Sequence, residues 1–121
     1  MYTIRKEALL TFLEASKNTY PNEFLGFLSG DKKNQTVEEL IIVPATFGAT
    51  FSMVHLHLVP FDPSFVGTCH SHPSFSNKPS REDKKTFGKT GYIHIIAAYP
   101  YTLNTVAFYD QTGKPAQVKI V

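Results

Sequence analysis

FVGTCHSHPSFSNKPSRED, residues 65–83, passes from a strand through a polar loop into a helix, and the rest of the chain can be arranged around that passage. Phe65 to His72 reads as a short strand. Pro73 ends it, because proline has no amide hydrogen to give to a sheet ladder. The loop Ser74 to Pro79 follows, and Ser80 then opens a charged helix, Arg81 to Lys89, that Gly88 and Gly91 bring to a close. Residues two apart in a strand point to the same side, so the imidazoles of His70 and His72 are expected to project together, with Cys69 and Ser71 turned the other way.

Upstream, Ile4, Ala8, Leu9, Phe12, Leu13 and Ser16 recur at helical spacing, with Arg5, Lys6, Glu7, Glu14 and Lys17 off that stripe. The chain is therefore expected to open with an amphipathic helix, stopped at Tyr20-Pro21-Asn22 because the residue before a proline avoids helical geometry. Phe24 to Ser29 reads as a buried strand closed by Gly30-Asp31, and Val37 to Val43 as a β-branched strand ending at Pro44. Thr50 to Leu58 alternates in its second half, with Val54, Leu56 and Leu58 on one face and His55 and His57 on the other. Downstream, Tyr92 to Tyr99 is nearly all apolar, as a central strand requires. Leu103 to Tyr109 and Gln117 to Val121 read as two further strands, joined as a hairpin through Asp110-Gln111-Thr112-Gly113. The sum is one α/β domain over residues 1–121, a mixed sheet flanked by helices in about three layers.

Composition narrows the function. The 121 residues are 42% hydrophobic and 13% aromatic, enough for a packed core without disulfides. Twelve lysines and arginines against ten acids leave a balance too even to mark a nucleic-acid or membrane-surface binder. Met1 to Lys17 mixes charged with apolar residues, unlike a secretory signal, and no stretch approaches the ~20 apolar residues that span a bilayer. The single cysteine, Cys69, excludes an intrachain disulfide and a multi-thiolate site. A cytoplasmic protein, monomer or homodimer, with no nucleic-acid or membrane partner is the expectation.

The chemistry is carried by His70, His72 and Asp83. Zinc takes neutral imidazoles and carboxylates at ~2.0–2.2 Å, and a catalytic site supplies three protein ligands while leaving a fourth position open. Two strand histidines supply two nitrogens, and Asp83, in the first turn of the next helix, is the natural third ligand. Ordinary explanations exist beside this one. A histidine pair on a strand is often a solvated face, which is how His55 and His57 are read, and serine followed three residues later by an acid resembles a capping box. His94, inside an apolar run, reads as a hydrogen-bonded core histidine. Cys69 reads as a small buried residue facing away from the histidines.

The string His70-Ser71-His72-Pro73, six residues, then Ser80-Arg81-Glu82-Asp83 resembles the signature of the JAMM, or MPN+, metalloproteases: His-x-His-Pro, six residues, Ser, two residues, Asp. Every signature position and both gaps match. Pro21-Asn22-Glu23-Phe24-Leu25-Gly26-Phe27-Leu28-Ser29-Gly30 looks like the family's Pro-x-Glu-x-x-Gly-x-Leu-x-Gly element. The resemblance implies a fold related to cytidine deaminase, with zinc held by His70, His72 and Asp83. It implies Glu23 as the general base and Ser80 as a donor that helps polarise the scissile carbonyl. Capping and catalysis compete for Ser80, and nothing in the spacing itself brings Glu23, 47 positions before His70, to the metal.

Members that cut ubiquitin conjugates carry two insertions, and this chain has no room for a large one between Gly30 and Phe65. It looks like the minimal archaeal-type members. That likeness implies a zinc isopeptidase acting after the terminal Gly-Gly of ubiquitin-like small modifiers or sulfur-carrier proteins, whose extended tail would add beside a sheet edge. The alternative is a non-catalytic MPN scaffold, a class whose members typically lack one or more of the ligands. A nucleobase deaminase is excluded, because its Pro-Cys-x-x-Cys element needs two cysteines.

Overall fold

The computed structural model describes residues 1–42 and 64–121. The expected strand Thr50 to Leu58, with His55 and His57, lies outside them. In chain order the described elements are β1 (Tyr2–Ile4), α1 (Lys6–Thr19), β2 (Leu25–Asp31), β3 (Thr36–Ile42), β4 (Phe65–His72), α2 (Arg81–Phe87), β5 (Ile93–Ala98), β6 (Val106–Asp110) and β7 (Val118–Ile120). The strands form one mixed sheet in the order β6-β5-β4-β2-β3-β1-β7. Strand β4 lies inside it, third from the β6 edge, antiparallel to β2 and parallel to β5.

Two sequence expectations need correction. The opening helix begins at Lys6, not Ile4, because Tyr2–Ile4 pairs with β3 and β7 as a short parallel strand. Ile4 fits the helical stripe only because its side chain enters the same core as Ala8, Leu9, Phe12 and Leu13. The hairpin between the last two strands is reduced to a tight turn. Asp110 N–H bonds to Lys114 C=O, and a single bridge joins Tyr109 to Pro115. The chain then leaves, and β7 pairs with β1 at the other edge of the sheet. Three residues at each end are too few for alternation to reveal a partner, so local turn chemistry was the only signal available there.

Alternation sorts the sheet into two faces. Cys69, Ile93, Ile95, Ala97, Phe24 and Leu28 pack with the apolar stripe of α1 in one core. On the opposite face Thr68, His70 and His72 of β4 stand beside His94, Ile96 and Ala98 of β5, in register. Phe87 of α2 covers that face, packed with Ile96 and Tyr109. Glycine is required where β4 begins: a side chain at Gly67 would collide with the carbonyl of Ile93, so β4 and β5 could not approach. Among the described residues no helix is long and apolar enough to cross a membrane.

His94 is the polar centre of the α2-side layer. It is fully buried, its Nε2 lies 3.2 Å from the Gly91 carbonyl, and its Nδ1 lies 2.6 Å from Thr68 Oγ1. A carbonyl can only accept, so Nε2 carries the proton and Nδ1 accepts from the threonine hydroxyl. Both nitrogens are thus satisfied inside the core, and Phe87 stacks on the ring with centroids 4.2 Å apart. Burial is the main cause that pushes His94 down to about 4, against hydrogen bonding to the Gly91 carbonyl. Because the unfolded chain takes up this proton at higher pH than the folded one, stability is complete above the ordinary value near 6.5 and falls as pH drops toward 4. The expected loss from this group is about 3 kcal/mol. Urea unfolding at pH 7.5 and pH 4.5, wild type against His94→Gln, should show a steeper pH dependence in the wild type.

Candidate metal centre

The C-terminal end of β4 and the first turn of α2 build the site. His70 and His72 project from the same face of the strand, and α2 lowers Asp83 onto them. Asp83 Oδ1 lies 3.3 Å from His70 Nε2, Asp83 Oδ2 3.3 Å from His72 Nε2, and the two Nε2 atoms are 3.2 Å apart. His70 is buried, and His72 and Asp83 are partly so.

Local chemistry holds each ligand. The Asp83 carboxylate accepts from the Ser80 amide at 2.8 Å, while Ser80 Oγ accepts from the Asp83 amide at 3.0 Å, a complete capping box. The cap satisfies two amides at the start of α2 and simultaneously fixes the carboxylate's orientation. Phe87, one turn after Asp83, lies on the same side of α2 and packs against the His70 ring with centroids 6.3 Å apart. His72 Nδ1 lies 2.9 Å from the Ser76 carbonyl. A carbonyl there demands N–H on Nδ1, so in the neutral ring Nε2 is the nitrogen that keeps a lone pair, and in the imidazolium Nε2–H donates to Asp83. The loop carrying Ser76 is itself tied down, by Tyr109 Oη–H to the Asn77 carbonyl and by the Tyr99 amide to the Ser74 carbonyl.

The field in this cleft favours positive charge. Burial works against ionisation of Asp83, yet hydrogen bonds from both imidazoles outweigh it and hold the carboxyl far below the usual carboxylate range. Burial likewise lowers His72, but its bonds to Asp83 and the Ser76 carbonyl, with the charges of Asp83 and Glu23, move it above its ordinary value. A divalent ion would meet the same attraction with twice the charge. The donors fit one: a tetrahedron with zinc–ligand bonds near 2.05 Å has edges of about 3.3 Å. The Nε2–Nε2 separation of 3.2 Å matches that edge, each Nε2 has a different Asp83 oxygen at 3.3 Å, and no other group of three such side chains clusters this way among the described residues.

Glu23 precedes β2, two residues before Leu25, whose partner is His70, and the Ser71 amide bonds to the Phe24 carbonyl between them. The Glu23 charge is felt at His72. The fold thus supplies the proximity that spacing along the chain could not. Ser80 is exposed one turn ahead of Asp83. As a cap its oxygen uses an acceptor lone pair, so the hydroxyl hydrogen stays available to a ligand. Sequence reasoning missed the Ser76 carbonyl, which no side-chain motif reveals, and Phe87, whose spacing of four from Asp83 was a usable signal.

Comparison with known proteins agrees with this geometry. The family model described as prokaryotic homologs of the JAB domain matches residues 5–109. A protein of Haloferax volcanii named as a probable metalloprotease is 36% identical over 127 aligned positions, covering 98% of this chain and 78% of that protein. A JAB1/MPN domain protein from Archaeoglobus fulgidus superposes with a TM-score of 0.78 at 34% identity, over all of this chain and 97% of that one. A structure described as a JAMM metalloprotease-like zinc site in the proteasome and signalosome gives 0.78 at 35% identity, over all of this chain and 98% of its own. A solution structure from Desulfitobacterium hafniense, at 20% identity and a TM-score of 0.72, shares the fold, over all of this chain and 93% of that one. With its sheet, its two histidines and its capped aspartate in this arrangement, the chain belongs to the prokaryotic JAB family of JAMM/MPN metalloprotease-like domains.

Proposed function

We propose that the chain is a zinc-dependent peptidase that hydrolyses the amide or isopeptide bond after a terminal Gly-Gly of ubiquitin-like small modifiers or sulfur-carrier proteins. The observation that carries the peptidase reading is the complete donor set, two imidazole nitrogens 3.2 Å apart with one Asp83 oxygen 3.3 Å from each, together with the Glu23 charge felt at His72 and the exposed Ser80 hydroxyl. Held by His70, His72 and Asp83, zinc would polarise the carbonyl and lower the pKa of a bound water to roughly 7. The Glu23 carboxylate then takes the proton from the attacking water and returns it to the departing amine nitrogen as the carbon–nitrogen bond breaks. The Ser80 hydroxyl, already oriented by the cap, donates to the carbonyl oxygen as charge grows there, a role worth on the order of 3 kcal/mol in other hydrolases.

Gly-Gly as the preferred sequence rests on the likeness to minimal archaeal-type members. Both long sides of β4 are taken by β2 and β5. A substrate tail would therefore reach the centre from the open ends of β4 and α2 rather than by joining β4. A non-catalytic scaffold has no need of three intact ligands with an oriented Nε2 lone pair, and the complete set disfavours it.

Three outcomes test the proposal. Purified protein should bind one zinc per chain by metal analysis, and His72→Ala should lose both metal and activity; a wild-type protein that takes up no zinc would return the scaffold reading. Glu23→Gln should keep its zinc and lose at least ~10²-fold in kcat, the scale usual for a general base. Linear and isopeptide fusions of Gly-Gly-terminated modifiers should be cleaved, with activity abolished by a chelator and restored by zinc. Survival of the whole panel with zinc-loaded protein would overturn the substrate assignment.

A further inference from the structure

The ladder between β2 and β4 ends on a side chain. One residue beyond the Leu25–His70 pair, Phe24 faces Ser71, and the Ser71 amide donates to the Phe24 carbonyl at 3.0 Å. A regular antiparallel pair would return the bond from the Phe24 amide to the Ser71 carbonyl. Here the return bond is diverted, and the Phe24 amide donates to Ser71 Oγ at 2.8 Å. Ser71 is fully buried and Phe24 nearly so, which keeps water from competing for that amide. The chain therefore leaves the sheet at a point set by one hydroxyl, and the next residue outward is Glu23.

A second hydroxyl fixes the strand that Glu23 must face. Tyr101 donates from Oη to the His72 carbonyl at 2.9 Å, with the Ser71 side chain close beside it. Tyr101 is 2% exposed and sits at φ +64°, a left-handed conformation sparsely populated by residues with a side chain. Its ring is wedged beside Tyr99 and Tyr20. Such a conformation persists where the surroundings determine it, and here it delivers the phenol hydroxyl under the second histidine. Neither Ser71 nor Tyr101 has a part in the chemistry described above.

We infer that Ser71 and Tyr101 are positioning residues for Glu23: Ser71 sets where the chain carrying the carboxylate leaves the sheet, and Tyr101 fixes the strand end it opposes. The residue between the two histidines is then a functional position, on the face of the strand away from the metal. The inference rests on Glu23 acting as the base proposed above.

The test compares Ser71→Ala, Ser71→Thr and Tyr101→Phe with Glu23→Gln in zinc-loaded protein. Ser71→Ala should bind one zinc as the wild type does and lose about 10- to 100-fold in kcat on a Gly-Gly fusion, with KM within about threefold. Ser71→Thr, which keeps the hydroxyl, should recover most of that loss, and Tyr101→Phe should lower kcat without loss of zinc. Adding Ser71→Ala to Glu23→Gln should cost less than about twofold more, because a residue acting through the carboxylate has nothing left to position. Loss of zinc in Ser71→Ala, multiplication of the two effects, or no rescue by threonine overturns the inference. A readout independent of turnover is hydrogen exchange: the Phe24 amide should exchange at least about tenfold faster in Ser71→Ala while the His70 amide stays protected. Unchanged protection at Phe24 overturns the positioning role even if every fusion is cleaved. Absence of cleavage by the wild type, with the exchange result as expected, removes the proposed activity and leaves the structural role standing.

Discussion

His70 Nε2 and His72 Nε2 stand 3.2 Å apart at the edge of a packed core, each with one of the two Asp83 oxygens at 3.3 Å. Acceptors at that spacing repel unless a proton or a cation lies among them, and partial burial adds a desolvation cost. The surrounding structure resists their separation from every side. Strand β4, held between two neighbours, cannot rotate its histidines apart. The capping box prevents the carboxylate from swinging out to water, and the Ser76 carbonyl fixes the ring of His72. Such over-determination lets a protein keep ligands in place before the ion arrives, so that little reorganisation opposes binding.

The choice of elements explains why the division of labour is clean. Alternation in β4 gives one face to the core under α1 and the other to chemistry, so Cys69 and Ser71 are structural neighbours of the ligands without competing for them. Just before β2, Phe24 enters the core, and the charge of its neighbour Glu23 is felt at His72. Beneath the ligands, Thr68, His94 and Phe87 form a stacked, fully satisfied layer that supports the His70 ring.

Much of this was legible along the chain. The bounds of β4, Phe65 to His72, and the polar loop after it follow from Pro73 and Pro79. The common face of His70 and His72 follows from strand periodicity. The start of α2 and the capped Ser80 were visible because capping depends on residues three apart. What was not legible is long-range or backbone-borne. Pairing of β1 with β3 and β7 depends on three-residue strands that carry no pattern of their own. The orienting group for His72 is a main-chain carbonyl, for which no residue type is diagnostic. The closeness of Glu23 to His72 arises where the residues before β2 meet the end of β4, which spacing along the chain could not give.

Helix α2 has seven residues, about half the length at which a helix becomes even marginally stable by itself in water. Its third residue is Asp83 and its last, Phe87, roofs the sheet. An ion held by Asp83 would also rivet a short element to the strand beneath it, so filling the centre and folding that turn would be one equilibrium. Without an ion at Asp83 that turn would be the first place for the helix to fray, exposing the backbone of the loop and of α2.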